Sequence, residues 1–444
     1  MRSPIVASIL LLLTIFLRLP LNTAAGMPFE PWWMALALLI ASTALWMDRS
    51  RKQLRGIGAV EIAMGAYLLW NVHSMLAPHK YPALDVLTGE SIPVARFIVI
   101  GTLIPFVFYI VGRYAFDRLA AVNVLLWTIL AFAAYSAALS IMPFTGLSAY
   151  VWPSHVIENV PPGWEGRAVG IFVQPVVNGM VLTLGFAVAM LLMSRRDEPT
   201  WRKIVAFLVA AACGWGIYLT HTRAVWLSAA VVLIIGALLA KGFRRGFVAV
   251  LGLVAVVIAT NWSVFTSSDR ESGGVASAGE VENRLNNLQT AFWAFVREPV
   301  QGWGIARFQV LNTYHHQQWA ADVPWVRGLS DVSHENEIGI LAELGLIGFL
   351  GWVCVLVLIA YKLRKAYRSL PDNDLCGKPL AVIAIMAFAI LLCTGFTVDL
   401  RYFDFSMGVI FLLAGTAIGW SERGGVSRDA VDGEVAEKSP VTHG

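Results

Sequence analysis

Three side chains in this sequence join a useful chemistry to a telling place. Arg284 lies in VENRLNNLQTAFWAF (281–295), His334 opens HENEIGILAELGLIG (334–348), and Arg223 sits in YLTHTRAVWL (218–227). The first two belong to 263–337, the only long polar stretch between two apolar ones. Arginine suits phosphate, because its planar fork donates two parallel hydrogen bonds. Histidine titrates near neutral pH and can serve as a general base toward a hydroxyl. Together they suit chemistry on a phosphate-linked substrate. Arg167 and Arg401, at the ends of other apolar runs, add two more cations. Each has a plainer reading. His334 could simply end a helix that Ser333 caps, Arg284 could be a solvated charge on a surface helix, and Arg223 could snorkel to lipid phosphates.

The elements that must position these residues are apolar. Of 444 residues, 57% are hydrophobic and only 14% charged, where soluble domains average roughly 25% charged. Apolar runs of about 17–24 residues recur, each long enough to cross a bilayer. They predict an all-α polytopic membrane protein with twelve spans, at 4–21, 31–47, 57–76, 93–112, 119–141, 170–193, 202–219, 224–240, 246–262, 338–361, 379–398 and 405–420. The loops at 48–55, 194–203, 241–245 and 361–378 are rich in Lys and Arg; those at 22–30, 77–92 and 399–404 carry one basic residue or none. Basic loops mark the cytoplasmic side. Both termini are then inside, and 263–337 is an extracytoplasmic loop between spans nine and ten. The chain divides into membrane domain 1–262 (outside loop 142–169), loop 263–337, membrane domain 338–420, and a disordered cytoplasmic tail, 421–444. Seventeen tryptophans suit two membrane interfaces.

Several segments refine this frame. The first run resembles a signal peptide, with Arg2 before it and Thr23-Ala24-Ala25 after it, but is long for one and is expected to stay as a span. Loop 142–169 contains Pro143, Pro153, Pro161 and Pro162 and should not form one regular helix. Residues 266–280 should be flexible. From 281, Val281, Leu285, Leu288, Phe292 and Phe295 recur at helical spacing, which predicts an amphipathic helix, ended by Pro299, on the membrane surface or over the bundle. Glu343, about two turns into span ten, could pair with an arginine or be held neutral; it gets no role. Glu280-Val-Glu282 and Glu335-Asn-Glu337 could bind a divalent cation, though capping and solvation explain them as well. Four cysteines without a C-x-x-C argue against a disulfide framework or a thiolate metal site. No metal or cofactor is expected.

Four stretches resemble the O-antigen ligase and polymerase superfamily, bacterial integral-membrane glycosyltransferases. GRAVGIFVQPVVNG (166–179) is similar to its R-x-x-G-x-F-x-x-P-x-x-x-[small] segment. LTHTRAVWL (219–227) is similar to its T-x-S-R segment, with Thr222 where serine is usual. ENRLNNLQTAFWAFVREPVQGWG (282–304) resembles N-R…W…P-x-x-G-x-G, and SHENEIGILAELGLIG (333–348) resembles H-x-N…E-x-G-x-x-G. The resemblance implies transfer of an oligosaccharide from a polyprenyl-diphosphate carrier to an acceptor hydroxyl on the outer face of the bacterial cytoplasmic membrane. It implies that Arg223 and Arg284 hold the diphosphate and that His334 works at the acceptor hydroxyl, with inversion and without a metal. Arg167 and Arg401 join them as substrate contacts on weaker matches. The partners implied are a polyprenyl-diphosphate-linked glycan, a glycan or lipid acceptor, and the bilayer; no nucleic acid is involved.

The motifs do not separate a ligase, which attaches one finished glycan, from a polymerase, which joins repeats. Residues 142–169 and 305–332 are expected to shape the acceptor pocket, where Tyr314, His315, His316 and Trp319 could contact sugar or simply pack. A twelve-span transporter is the reading from another class; the sequence offers it no matching motif in the first half.

Overall fold

The computed structural model describes residues 3–24, 30–50, 56–161, 163–269, 279–325, 331–372 and 375–437. Every principal element among them is helical: α1 Ser3–Phe16, α2 Arg18–Ala24, α3 Pro31–Ser50, α4 Ala59–Leu76, α5 Val94–Ala115, α6 Leu119–Ile141, α7 Pro175–Ser194, α8 Thr200–Leu219, α9 Arg223–Leu239, α10 Arg244–Thr260, α11 Gly279–Arg297, α12 Phe308–His315, α13 Asn336–Ser369, α14 Lys378–Gly395 and α15 Asp404–Glu437. Helices lie on all twelve apolar runs. Seven of them are long and apolar enough to cross a membrane: α5, α6 extended to Thr145, α7, α8, α13, α14, and α15 as far as Arg423. Two shorter apolar helices, Pro4–Phe16 and Arg223–Leu239, pack with them.

Two expectations need correcting. The run 4–21 is not one helix: it breaks at Leu17. Pro20 has no amide to offer the Phe16 carbonyl, and its ring excludes that carbonyl from an α-helical position. At the other end, α15 runs on from 421 to Glu437 where an irregular tail was expected; helix propagation costs far less than nucleation, and the apolar part of α15 supplies the nucleus. The last seven residues of that tail, 438–444, most of the stretch expected to be flexible (270–278), and Pro162 lie outside the described residues. Among its described residues, loop 142–169 forms only short turns, Met142–Thr145, Ser148–Tyr150 and His155–Glu158.

The centre of the bundle is built on α7 and α15, nearly all of whose membrane-length residues are buried. The closest pair is α5 with α15. Gly112 faces the Leu412 carbonyl, and Gly415 and Gly419 face the carbonyls of Tyr109 and Arg113, so that any side chain would separate the two backbones. This small-residue spacing is how membrane helices gain contact without a hydrophobic driving force. Within α5 a π turn, Val99–Leu103, precedes Pro105. The extra residue accommodates a proline that cannot bond Gly101, and Gly101 packs on the Arg401 backbone.

Ion pairs sort the helix ends into two sets. One end gathers Glu61, Arg113, Lys362 and Glu422: Arg113 pairs with Glu61 and, at 2.8 Å, with Glu422, which also meets Lys362 at 3.1 Å. The opposite end carries Arg18 on Asp404 at 2.7 Å, Arg96 on Glu30 at 2.6 Å, and the cap formed by α11 and α12. All three motif cations and His334 lie at this capped end.

Candidate active site

α13 is broken, and the break anchors the cap. Gly345 has φ 64 and ψ −167 inside an otherwise continuous helix. A broken helix frees main-chain groups that lipid cannot satisfy, and here four of them find partners outside the helix. The Trp303 and Gly304 amides donate to the carbonyls of Ala342 and Glu343 at 3.1 and 2.8 Å. Trp70 Nε1 donates to the Leu344 carbonyl at 3.0 Å, and the Leu346 amide donates to the Pro299 carbonyl at 2.8 Å. The approach is so close that a Cβ on Gly302 would lie 2.5 Å from the Gly345 amide nitrogen. The glycines of P-x-x-G-x-G and of E-x-G therefore form one backbone joint.

Glu343 completes the joint. Its Oε1 accepts from the Phe308 amide at 2.8 Å, and its Oε2 meets Arg401 Nη1 at 2.6 Å. Arg401 also grips Asp399 through Nε at 2.9 Å and Nη2 at 2.6 Å. Arg401, grouped by sequence with the substrate contacts, is thus the 3%-exposed counter-ion of two carboxylates, and Glu343 has the arginine partner that its depth called for. The Asn336 side-chain carbonyl accepts from the Leu400 amide at 3.2 Å, tying this network to the turn after His334.

α11 presents the face opposite to the one its periodicity suggests. Asn286, Asn287, Thr290, Ala291 and Ala294 are buried, whereas Val281 and Phe292 are exposed. The buried polar stripe holds the chain that follows. Asn286 Nδ2 donates to the Pro324 carbonyl at 2.9 Å, and its Oδ1 accepts from the Trp319 amide at 2.9 Å. Thr290 Oγ1 accepts from the Gln317 amide at 2.9 Å, and Asn287 Oδ1 accepts from Asn312 Nδ2 at 2.9 Å. Apolar periodicity missed this stripe because hydrogen bonds, not apolar burial, orient the helix. Asn283 reaches Asp331 at 3.3 Å. Arg284, next to it, acts electrostatically on Glu335. The Glu335 carboxyl, neighbour to His334, is pushed up to about 7, chiefly by burial, with Arg284 pulling the other way.

The segments that carry Arg223 and Arg167 meet at a second place. The Ala168 amide donates to the Leu219 carbonyl at 2.8 Å, and His221 Nδ1 bonds the Gly166 carbonyl at 2.7 Å. Gly170, at φ 59, leaves room for Asn178, whose Nδ2 donates to the Ala168 carbonyl at 2.9 Å. Pro175 opens α7, and Gly179 packs directly on Val225, two residues beyond Arg223. The end of α14 links the two places: α9 packs along α14, and a Cβ on Gly395 would lie 3.2 Å from the Glu337 carboxylate.

Tyr314 and His315 fall in a separate aromatic group with Tyr81 and Trp293, while Trp319 is held by its amide on Asn286 of α11. Tyr81 hydroxyl meets His315 Nε2 at 2.7 Å, and His315 stacks on Trp293 at 4.7 Å. Burial, with Lys80 and Arg297 nearby, holds the His315 pKa below the ordinary histidine value, which fits a neutral ring accepting from Tyr81. Tyr314 and Trp319 are exposed, at 57% and 44%.

Residues 205–353 match the O-antigen ligase family model. The match supports the O-antigen ligase-like superfamily read from the motifs, and with it a ligase- or polymerase-type membrane glycosyltransferase acting on a lipid-linked glycan. No curated protein matches the chain. The O-antigen ligase-like stretch runs from α8 into α13. It takes in Arg223, Arg284 and His334 and leaves Arg167 and Arg401 outside. Sequence reasoning passed over His221, Asp399 and Tyr81; only His221 lay inside a motif already singled out.

Proposed function

We propose that this protein transfers an oligosaccharide from a polyprenyl-diphosphate carrier to an acceptor hydroxyl, on the outer face of a bacterial cytoplasmic membrane. The chain crosses that membrane twelve times, with both termini inside and the cap of α11 and α12 outside. Arg223 and Arg284 hold the diphosphate, and His334 receives the proton of the acceptor hydroxyl. Arg167 adds a further cation at the donor, while Arg401 sets the frame as the partner of Glu343 and Asp399. Tyr314, His315 and Trp319 line the route of the sugar.

One observation carries the reading. Arg284 acts electrostatically on the residue beside His334, and α9, which begins at Arg223, packs on α14, whose last residue Gly395 approaches Glu337. Fixed cations near a leaving diphosphate stabilise the charge that develops as the glycosidic bond breaks. A diphosphate leaves without help from a strong acid, so a base at the acceptor and cations at the donor suffice. Direct attack inverts the anomeric centre, and no metal is required by this arrangement. The basic loops 194–203, 241–245 and 361–378 belong to the uncapped end, which agrees with a cytoplasmic side there.

The test is reconstitution of the full chain in liposomes with polyprenyl-diphosphate-linked glycan and candidate acceptors. The expected result is glycan transfer by the wild type; a single conjugate identifies a ligase and a ladder a polymerase. Uptake of solute without any transfer would favour a transporter and overturn the proposal.

A further inference from the structure

His221 stands between the two motif cations of the donor side and has no part in the mechanism so far. It is a buried histidine, 6% exposed, with φ 43. A non-glycine residue in that region is strained and persists only where its surroundings impose it. Its Nδ1 lies 2.7 Å from the Gly166 carbonyl. A carbonyl oxygen can only accept, so Nδ1 carries the hydrogen and donates. The far ring nitrogen, Nε2, is buried and meets no hydrogen-bond partner.

The backbone around this bond is arranged to fix a distance. The bond runs from the residue two before Arg223 to the residue directly before Arg167. Ala168, just past Arg167, donates to Leu219 at 2.8 Å, so two bonds bracket the arginine. Asn178 on the Ala168 carbonyl and His155 Nε2 on the Ile171 carbonyl, at 3.2 Å, pin the next few residues to α7 and the 142–169 loop. On the other side Thr222, at the N-cap position of α9, donates its hydroxyl to the Thr220 carbonyl at 2.8 Å, and Arg223 is the first residue of α9. The unusual φ of His221 turns the ring back across the Arg167 segment.

We propose that His221 is a positioning residue: its Nδ1–H bond locks the Arg167 segment onto the Arg223 turn, so that both guanidiniums meet one diphosphate. The ligand named here rests on the function proposed above; the latch does not.

The experiment uses His221→Ala, His221→Gly and His221→Asn in the full chain in detergent. Glycine relieves the backbone but loses the donor, and asparagine tolerates positive φ and keeps an N–H donor. Hydrogen exchange of the 164–169 segment reads the latch without any substrate. Exchange about tenfold faster is expected in the alanine and glycine variants, from loss of one buried hydrogen bond, with near wild-type exchange in the asparagine variant. Calorimetry with inorganic diphosphate reads the ligand: binding about tenfold weaker is expected in the first two variants, with recovery by asparagine. Unchanged exchange in alanine and glycine would overturn the latch. A loosened segment with unchanged diphosphate affinity would overturn the positioning role, as would failure of asparagine to recover either readout. Absence of diphosphate binding by the wild type, with the latch behaving as expected, would sink the proposed donor site alone.

Discussion

Arg401 and Glu343 meet at 2.6 Å inside the bundle, each with a side chain only 3% exposed. The pair is stacked with consequences, because Asp399 shares the guanidinium and the Phe308 amide shares the carboxylate. Removing one partner of a buried ion pair leaves a charge uncompensated and costs roughly 3–5 kcal/mol. Arg401→Ala should therefore lower stability by that order, and Arg401→Lys should recover little of it, since lysine cannot fork between two acids. Thermal unfolding of the purified protein checks this. A near-native midpoint for Arg401→Ala would show that the network is not what holds the cap.

Arg284 and His334 should behave differently. Both are half-buried at the cap, and neither is a principal support of the bundle. His334→Ala and Arg284→Ala are expected to fold with unchanged midpoints and to lose at least about 100-fold in transfer rate, the usual cost of removing a catalytic base or a charge-stabilising donor. Transfer assays on reconstituted protein decide it, and full activity in both variants would discard the assignment.

Glu335 gives the protein a pH-dependent stability of predictable sign. Burial raises its carboxyl from 4.5 to about 7. Between those values the folded chain retains a proton that the unfolded chain has released. The contribution is thus fully present below about pH 4.5 and is lost as pH rises through about 7. The wild-type melting temperature should fall more between pH 5 and about 8 than that of Glu335→Gln. Parallel curves for the two proteins would argue that Glu335 is solvated.

The joint at Gly345 makes a steric prediction. Gly345→Ala places a Cβ against the Val300 carbonyl at a positive φ, a combination worth about 1–3 kcal/mol of strain. Gly302→Ala meets the Glu343 carbonyl group from the other side and should act alike. Proteolysis of the cap, measured against the wild type, should quicken in both variants; equal resistance would mean that the joint yields without cost.

The membrane frame was legible because a span has a length, and apolar runs of that length are hard to mistake. Pro20 was the exception: it splits the first run, although hydropathy is blind to a missing amide. The cap was less legible. Periodicity finds α11 correctly, but a helix oriented by Asn286, Asn287 and Thr290 hides its buried face from any apolar count. The partners of Arg401 were hidden for a related reason. A lone arginine at the end of an apolar run looks available to a phosphate until Glu343 and Asp399, distant or adjacent in sequence, are seen around it. Arg284 acts electrostatically on Glu335, the neighbour of His334, and the roles of Arg284 and His334 belong to the proposal.

The stitching of residues 298–308 to 342–346 also constrains how this protein can be recombined. The joint is mostly main chain to main chain, with the Glu343 carboxylate on the Phe308 amide as its side-chain bond. A chimaera that exchanges the cap while keeping its own α13 would leave carbonyls stranded at membrane depth, whereas one that moves both segments as a unit would carry its own closure with it.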